Sequence, residues 1–477
     1  MKKRLVNTIN FVVVALLVVG LFGGAAGVNA MDKASPGAKT IRDQLLYSRA
    51  IEASIWARSL LNYKTVRDSF FSHGVGYNDV TYYSKIQTWR FQVATPNNTT
   101  PYWWSFWNVK NGPVVLEIPA ASEDVKLFGT LMDAWQRPLE DVGATGADQG
   151  KGGKYLLVHK DYQGQLPQGY IVVRQTTYDG FTIIRPIVKD NRQSSIDKAS
   201  VVAKTIRSYP LGQQSGTRHV DVYMKNIEGM YPFDDTLYEH LHDILQEEYL
   251  EEKDKVMMGM LKSLGIERGK PFTPSAEQRE LLANAARDSQ VYMLDMYHNV
   301  LLPQYYEGKH WTNLVNRSVP ETGFTLTYPD YVDIDNRGAL YYAVISSVKN
   351  FGASTYYLVG AKDDNGKYLD GSINYVLHVD ANVPARQFWS AVVYDLETAG
   401  WLRNQNKVGI ASTDTEIETN ADGSTDLYFG PNPPAGKESN WVPTTPGRKF
   451  FLLFRFFGPE KAVFDKSWQL NDITVVD

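Results

Sequence analysis

The sequence LPQGYIVVRQTTYDGFTIIR, residues 166–185, decides the fold class of the chain. Its residues 170–174 and 181–185 are short runs rich in β-branched and aromatic residues, and the first run follows a Pro- and Gly-bearing turn. Such runs between turn residues predict β-strands. Residues 114–119 and 155–158 have the same character. Many short strands with this punctuation indicate a β-sandwich or a jelly roll.

Strand patterns return between residues 325 and 477. Residues 356–359 and 450–456 predict buried strands. The Asn-Gly pair at 365–366 and the Asp-Gly pair at 422–423 predict tight turns, because these residues tolerate positive φ.

A further strand is predicted at residues 389–395, where alternation assigns each side chain to a face. Trp389 should share one face with Val393, and Val392 should share the other face with Tyr394.

Two stretches predict helices. Residues 35–63 carry apolar side chains at helical spacing, and in residues 233–310 Leu237, Leu241 and Leu245 recur every fourth position. Thr273, which precedes a proline, is the predicted cap of a helix that continues to about residue 302.

These patterns give a mostly β chain with a helical insert, in which two jelly-roll-like β-sandwich domains are joined by helices. A length of 477 residues exceeds what one core usually serves, so two domains are expected. The predicted organisation is a signal peptide (1–30), an N-terminal helical segment (31–70), an N-terminal β domain (71–230), a helical linker (231–315) and a C-terminal β domain (316–477).

The N-terminus predicts export. Lys2, Lys3 and Arg4 precede an apolar run at 11–22, and residues 28–30 fit a small-x-small cleavage pattern before Met31. The run is shorter than the roughly 20 residues of a spanning helix. A periplasmic or secreted protein is therefore expected, and an uncleaved N-terminal anchor is the alternative.

Composition excludes several functional classes. The net charge is −4, and cleavage of the predicted leader would also remove three positive charges. A chain this acidic is not expected to bind nucleic acid or to associate stably with a membrane. The absence of cysteine excludes disulfides and zinc–thiolate sites. The scattered histidines predict no transition-metal site.

Two glycine-bearing loops invite ligand hypotheses. Residues 150–154, GKGGK, lack the spacing and the following helix of a phosphate-binding loop, so a tight loop that leads into a strand is expected. Asp141 and Asp148 lie near glycines and could serve calcium, but ordinary turn formation is the simpler interpretation. The cofactor is left open.

Ordered motifs run through both β regions and carry a family resemblance. The N-terminal motifs lie at 96–102, 112–116, 132–136, 150–155, 169–170 and 185, and the C-terminal motifs at 369–372, 375–378, 383–385, 388–390, 394–395, 422–424, 428–431, 436–441 and 458–459. With them the chain resembles bacterial proteins that pair a domain of unknown function 1254 (DUF1254) with a domain of unknown function 1214 (DUF1214). The resemblance implies jelly-roll-type domains joined by helices, and a homo-oligomer such as a trimer. The resemblance implies no particular reaction.

Polar and aromatic residues in the motifs and neighbouring strands point to a site, since a signature of fold alone would hold mostly Gly, Pro and apolar residues. Acid–base roles fall to Tyr102, Asp133 or Asp395. The predicted ligand contacts, with lysine and arginine for anions and tryptophan for stacking, are Asn97, Trp135, Lys154, Arg174, Arg185, Lys437, Asn440, Trp441 and Arg455.

The leading hypothesis is an exported protein that binds or processes a polar small molecule, either carbohydrate-like or anionic. The alternative is a non-enzymatic jelly-roll protein that assembles into a homo-oligomer. The first hypothesis requires the predicted residues to converge on one concave pocket, whereas the second places them at flat subunit contacts or spreads them as isolated turn anchors.

Overall fold

The computed structural model describes residues 40–190, 192–315, 318–350 and 355–476. The predicted signal peptide lies outside these residues. The helices are α1 (Ile41–Ser72), α2 (Gln193–Ala203), α3 (Thr236–Glu247), α4 (Lys255–Ser263), α5 (Ala276–Asp295), α6 (Ser318–Thr322), α7 (Ile334–Ala343) and α8 (Lys461–Phe464). A π-helical segment, Met296–Leu301, continues α5. In the described part of the chain, no helix is long and apolar enough to cross a membrane.

The N-terminal half contains the first twelve strands. They are β1 (Val80–Tyr82), β2 (Phe91–Gln92), β3 (Trp103–Asn108), β4 (Val114–Ile118), β5 (Lys126–Asp133), β6 (Pro138–Gly143), β7 (Gly153–His159), β8 (Ile171–Gln175), β9 (Asp179–Ile187), β10 (Arg207–Pro210), β11 (His219–Asp221) and β12 (Ile227–Glu228). A six-stranded sheet has the order β11-β1-β3-β9-β5-β6, and a four-stranded sheet has the order β10-β4-β7-β8. The short strands β12 and β2 pair with each other.

The C-terminal half repeats the arrangement of one larger and one smaller sheet. Its strands are β13 (Trp311–Asn313), β14 (Thr355–Gly360), β15 (Tyr375–Val379), β16 (Ala385–Asp395), β17 (Gly409–Ala411), β18 (Thr425–Gly430), β19 (Trp441–Pro443), β20 (Phe450–Pro459) and β21 (Thr474–Val475). The five-stranded sheet has the order β13-β14-β20-β16-β17, and the four-stranded sheet has the order β19-β18-β15-β21.

Within each half, the two sheets enclose a shared hydrophobic core. In the N-terminal half, Trp103 on β3 packs in the same cluster as Tyr155 on β7. In the C-terminal half, Trp389 on β16 packs in the same cluster as Leu377 on β15. The prediction of a β-rich chain with helices is confirmed, and the jelly-roll connection of the strands stays a prediction.

A third core joins the two halves around α1. This helix contacts α3, α4, α5 and α7. The core also takes in Phe181 from the six-stranded sheet and Phe451 from the five-stranded sheet. The region predicted as a linker thus packs with α1 against the outer faces of both large sheets, while the predicted domain boundaries remain predictions.

Of two local predictions, the one for the faces of β16 is confirmed and the one for the start of α5 is corrected. Trp389 and Val393 belong to the core between the C-terminal sheets, whereas Val392 and Tyr394 belong to the core around α1, so the two faces of β16 are as predicted. The helix predicted to begin at Thr273 instead has Ser275 as its N-cap, with its hydroxyl accepting a hydrogen bond from the Gln278 amide. Ser275 is the residue directly before the first helical turn, where a capping hydroxyl reaches the free amides.

Candidate functional site

Strand alternation turns three predicted side chains toward the center of the molecule. Along β9, Phe181 and Ile183 face the core around α1, and Arg185 occupies the next position on that face. Along β20, Phe451 and Leu453 face the same core, and Arg455 continues their series. By the same rule, Tyr102, which lies just before β3, precedes Trp104 and Phe106 on the face of β3 that turns toward the core around α1.

These three side chains line one cavity of about 520 Å³. Its walls come from both large sheets and from the segment that surrounds α6 and α7. The volume falls in the range typical of small-molecule sites. Apart from the two arginines the lining is mostly apolar, with aromatic residues from both halves, and no acidic side chain is among the described residues that line it.

Arg455 is buried and held by four hydrogen bonds. Its Nη1 donates to Asn97 Oδ1 at 2.9 Å, and its Nη2 donates to the Tyr394 hydroxyl at 2.6 Å and to the carbonyls of Thr95 and Pro96 at 3.2 Å. Its Nε has no hydrogen-bond partner among the residues that the structure describes. Asn97, another predicted residue, thus supports the cavity wall by fixing Arg455.

Arg185 lies on the opposite sheet among aromatic rings. Its guanidinium carbon is 5.2 Å from the ring center of Tyr102 and 5.6 Å from that of Phe128, which is its register partner on β5. Among the described residues, its buried Nε has no hydrogen-bond partner. Arg185 forms no ion pair with these residues, and the faces of the neighboring rings help to stabilise its positive charge.

The electrostatics of the cavity are therefore cationic. Neither Arg185 nor Arg455 has a carboxylate partner within the described ranges, and both are largely removed from water. Burial raises the pKa of Tyr394, although the charge of Arg455 opposes this effect, so the phenol stays neutral at physiological pH. Two unpaired guanidinium groups in a low-dielectric cavity favour an anion.

Three other predicted residues serve local structure. Asp133 is buried, accepts from the amides of Trp135 and Arg137, and pairs with the Arg137 guanidinium at 2.6 Å. Asp395 accepts from the amides of the turn that follows β16 and pairs with Arg448 at 2.6 Å. Trp135 packs edge-on against Trp56, with ring centers 4.9 Å apart. None of the three lines the cavity.

The remaining predicted residues lie away from the cavity. Lys154 pairs with Glu117 at 3.1 Å, and exposed Arg174 donates weakly to a backbone carbonyl. Asn440 is buried and ties its loop to Glu418 by two hydrogen bonds, and Trp441 Nε1 donates to a carbonyl. Lys437 precedes this turn and is half-buried. The single site expected from all twelve residues is not formed, because eight of them lie elsewhere.

The sequence missed much of the cavity wall. Tyr357 on β14 is the register partner of Arg455, with its ring center 5.8 Å from that guanidinium carbon. Its position two residues before Val359, on the same face, is the signal that could have found it. The cavity is closed by residues 313–315, 320, 324, 343–346, 348 and 350, which carry no sequence pattern that points to a ligand.

The two carboxylates considered for calcium accept hydrogen bonds from neighbouring groups of the protein. Asp141 is fully buried and accepts hydrogen bonds from the Thr130 hydroxyl and the Asn350 amide, and Asp148 accepts from the Gly143 amide. These carboxylate oxygens therefore face N–H and O–H donors. Among the described residues, no group of three or more His, Asp or Glu side chains is arranged to hold a metal ion.

The fold and the cavity define a β-rich protein whose two halves meet at a cationic, mostly apolar pocket. Two family models match these halves: residues 77–210 match a protein of unknown function, DUF1254, and residues 354–461 match a protein of unknown function, DUF1214. The chain therefore belongs to the DUF1254/DUF1214 proteins, as its motifs predicted. Arg185 comes from the first matched range and Arg455 from the second.

The overall fold resembles that of one solved structure. The VPA0106 protein from Vibrio parahaemolyticus is 18% identical with a TM-score of 0.53, and the match covers 91% of this chain and 100% of that chain. An uncharacterized protein from Burkholderia cenocepacia is 11% identical with a TM-score of 0.41, over 94% of this chain and 92% of that chain. No curated protein matches this chain.

Proposed function

We propose that the protein is exported and binds a small anionic molecule with an apolar body in the cavity between its two large sheets. The observation that carries this proposal is the convergence of Arg185 and Arg455, from the two family-matched ranges, on one cavity whose described lining holds no acid. A buried guanidinium without an anionic partner is costly, and a bound anion offsets that cost.

A carboxylate on an aromatic body fits the lining best. A guanidinium fork donates two parallel hydrogen bonds to a carboxylate, which favours this group over a spherical anion. The rings of Tyr102, Phe128 and Tyr357 border the arginines and offer faces and edges for an aromatic body. A carbohydrate needs many polar partners around its hydroxyls, and the mostly apolar lining supplies few.

The proposed catalytic residue is Tyr102, which lines this cavity. Its hydroxyl is the group among the three predicted acid–base residues that lies at the cavity, whereas Asp133 and Asp395 are engaged by Arg137 and Arg448. Binding requires only the arginines. A Tyr102→Phe variant should keep ligand affinity, and any turnover of the ligand should fall with the loss of the hydroxyl.

Calorimetric titration of the mature protein with benzoate tests the binding proposal. Benzoate should bind, and benzyl alcohol, which has a similar shape but no charge, should bind at least tenfold more weakly. Arg185→Met and Arg455→Met should each weaken benzoate binding by about tenfold to a hundredfold, from the loss of charge-assisted hydrogen bonds worth about 1.5–3 kcal/mol.

Arg174→Met is the matched control, since this arginine lies exposed on β8 away from the cavity. It should leave benzoate affinity unchanged. Arg185→Met is the cleaner of the two cavity variants, because Arg455 also ties residues 95–97 to β20. Benzoate binding that is absent, or that falls equally in the Arg174 control, overturns the proposal.

Export and the finer architecture are part of the same proposal. The basic start and the apolar run at 11–22 support cleavage before Met31, which N-terminal sequencing of the exported protein would test. In each half a larger and a smaller sheet enclose one core, which supports a jelly-roll-like sandwich.

Homo-oligomeric assembly is the second candidate. Lys154 and Arg174 are exposed and Lys437 is half-buried, and all three lie away from the cavity, as residues at subunit contacts would be. If they tie subunits together, Lys154→Glu with Lys437→Glu should lower the mass measured by sedimentation equilibrium. An unchanged mass would leave these residues without a role in assembly.

A further inference from the structure

A second cavity, of about 430 Å³, lies between α4 and the segment at residues 327–334. It shares no lining residue with the first cavity. Its lining lies outside both family-matched ranges and contains none of the residues predicted from the sequence. The chemistry of this site must therefore be read from its own side chains.

Arg337 on α7 provides the positive charge of this second cavity. Its Nη2 donates to the Trp56 carbonyl at 2.9 Å, and its guanidinium carbon is 5.0 Å from the ring center of Trp135. The side chain is buried, and in the described part of the chain its Nε has no hydrogen-bond partner. Burial lowers the pKa of Arg337 to about 10, and the group forms no ion pair within the described ranges.

Asp254, directly before α4, provides a negative charge in the same cavity. Its side chain is only 4% exposed and accepts a hydrogen bond from the Glu251 amide at 3.2 Å. Asp254 forms no ion pair with any described residue. Its charge acts on Arg337 across the cavity without direct contact between the two groups.

The walls between these charges are mostly apolar. Met257 and Met260 line one side, and the parallel rings of Tyr328 and Tyr331, with centers 4.8 Å apart, line the other. Two more charged residues border the cavity: Lys253, which pairs with Glu251 at 3.4 Å, and exposed Asp330. Val256 stands at the rim with 73% of its surface exposed. Flexible thioethers and aromatic rings adapt to an aliphatic or aromatic body.

We propose that this cavity binds a zwitterionic amino acid with an apolar body, its carboxylate on Arg337 and its ammonium on Asp254. Within the described ranges neither of these two buried charges forms an ion pair, and one ligand with both charges gives each of them an oppositely charged partner. A carboxylate alone leaves Asp254 buried without a cation, and an amine alone leaves Arg337 without an anion.

Calorimetry on the full mature chain tests the requirement for both charges. The probes are L-leucine with its single-charge analogs 4-methylpentanoate and 3-methylbutylamine, and 6-aminohexanoate with hexanoate and pentylamine. At least one zwitterion should bind about tenfold or more tightly than both of its analogs. The proposal is overturned if neither zwitterion binds, or if a single-charge analog binds equally well.

Variants assign the charges to their residues. Asp254→Asn keeps the side-chain shape and the oxygen that accepts from the Glu251 amide. It should lower the affinity for the zwitterion to that for the carboxylate analog, and it should leave the affinity for this analog unchanged. Arg337→Met should lower the affinity for both the zwitterion and the carboxylate analog. Lys255→Met, an exposed change on α4 that does not border the cavity, is the control and should change neither. Equal affinity of the zwitterion for wild type and Asp254→Asn contradicts the assignment.

Discussion

Protonation of His298 should destabilise the protein in acid. This residue lies in the segment Met296–Leu301, where its ring is enclosed by those of Tyr342, Tyr368 and Phe451. Burial, with a smaller effect of Lys362, lowers the pKa of His298 from 6.5 to about 3. The unfolded chain binds this proton more readily, so the stabilisation is fully present above about pH 6.5 and is lost as the pH falls toward about 3.

The magnitude follows from the size of the pKa shift. Each unit is worth about 1.4 kcal/mol, so the full loss is on the order of 5 kcal/mol, and about 3 kcal/mol of it should appear by about pH 4. This is a large part of the stability of a typical folded protein, which is about 5–15 kcal/mol.

Urea unfolding of wild type and His298→Phe at neutral and acid pH measures this loss. Phenylalanine keeps a ring within the aromatic cluster and does not titrate. Other groups titrate in both proteins, so the difference between the two pH profiles isolates His298. The variant should lose about 3 kcal/mol less than wild type between about pH 7 and pH 4. Equal losses in the two proteins would refute the account of a buried neutral imidazole.

Three further predictions concern other parts of the molecule. Arg67→Met should cost about 3–5 kcal/mol in urea unfolding, because it leaves buried Asp179 without its cation, and Arg67→Met with Asp179→Asn should recover part of that loss. Gly152→Ala should lower the melting temperature, since φ at this position is +71° and an added Cβ would lie 2.5 Å from the Ala120 amide nitrogen. His378→Asn should lower the free energy of unfolding by less than about 1 kcal/mol, because the imidazole is half-exposed. The hydrogen bond and the charge of Asp426 raise the pKa of His378, so this small stabilisation is present below about pH 6.5 and is lost as the pH rises.

Strands were more predictable than the packing of helices. The alternation of β16 determined which of its side chains enter each core, because a period of two leaves only two faces. The leucines at 237, 241 and 245 correctly indicated a buried helical face. Their spacing could not reveal that α1, almost two hundred residues earlier in the chain, is the partner. Helical periodicity gives the buried face and carries no information about what covers it.

The candidate site was predictable only in part, for a related reason. Arg185 and Arg455 were chosen for their charge and their place among the polar residues of the motifs and neighbouring strands, and both lie on the strand faces that turn toward the core around α1. Asp133 looked equally suitable, but Arg137, four residues later, pairs with it within one turn. Trp135 looked like a stacking surface, but it packs against Trp56 on α1. Distinguishing an available side chain from an occupied one requires its neighbors, which the sequence does not give.

A crystal structure of the protein with 4-bromobenzoate tests the central claim most directly, since the anomalous signal of bromine locates the ligand without ambiguity. The account predicts a bromine peak inside the cavity between the two large sheets, with the carboxylate within hydrogen-bonding distance of Arg185 and Arg455. An empty cavity at saturating ligand, or a ligand found only on the outer surface, would contradict it.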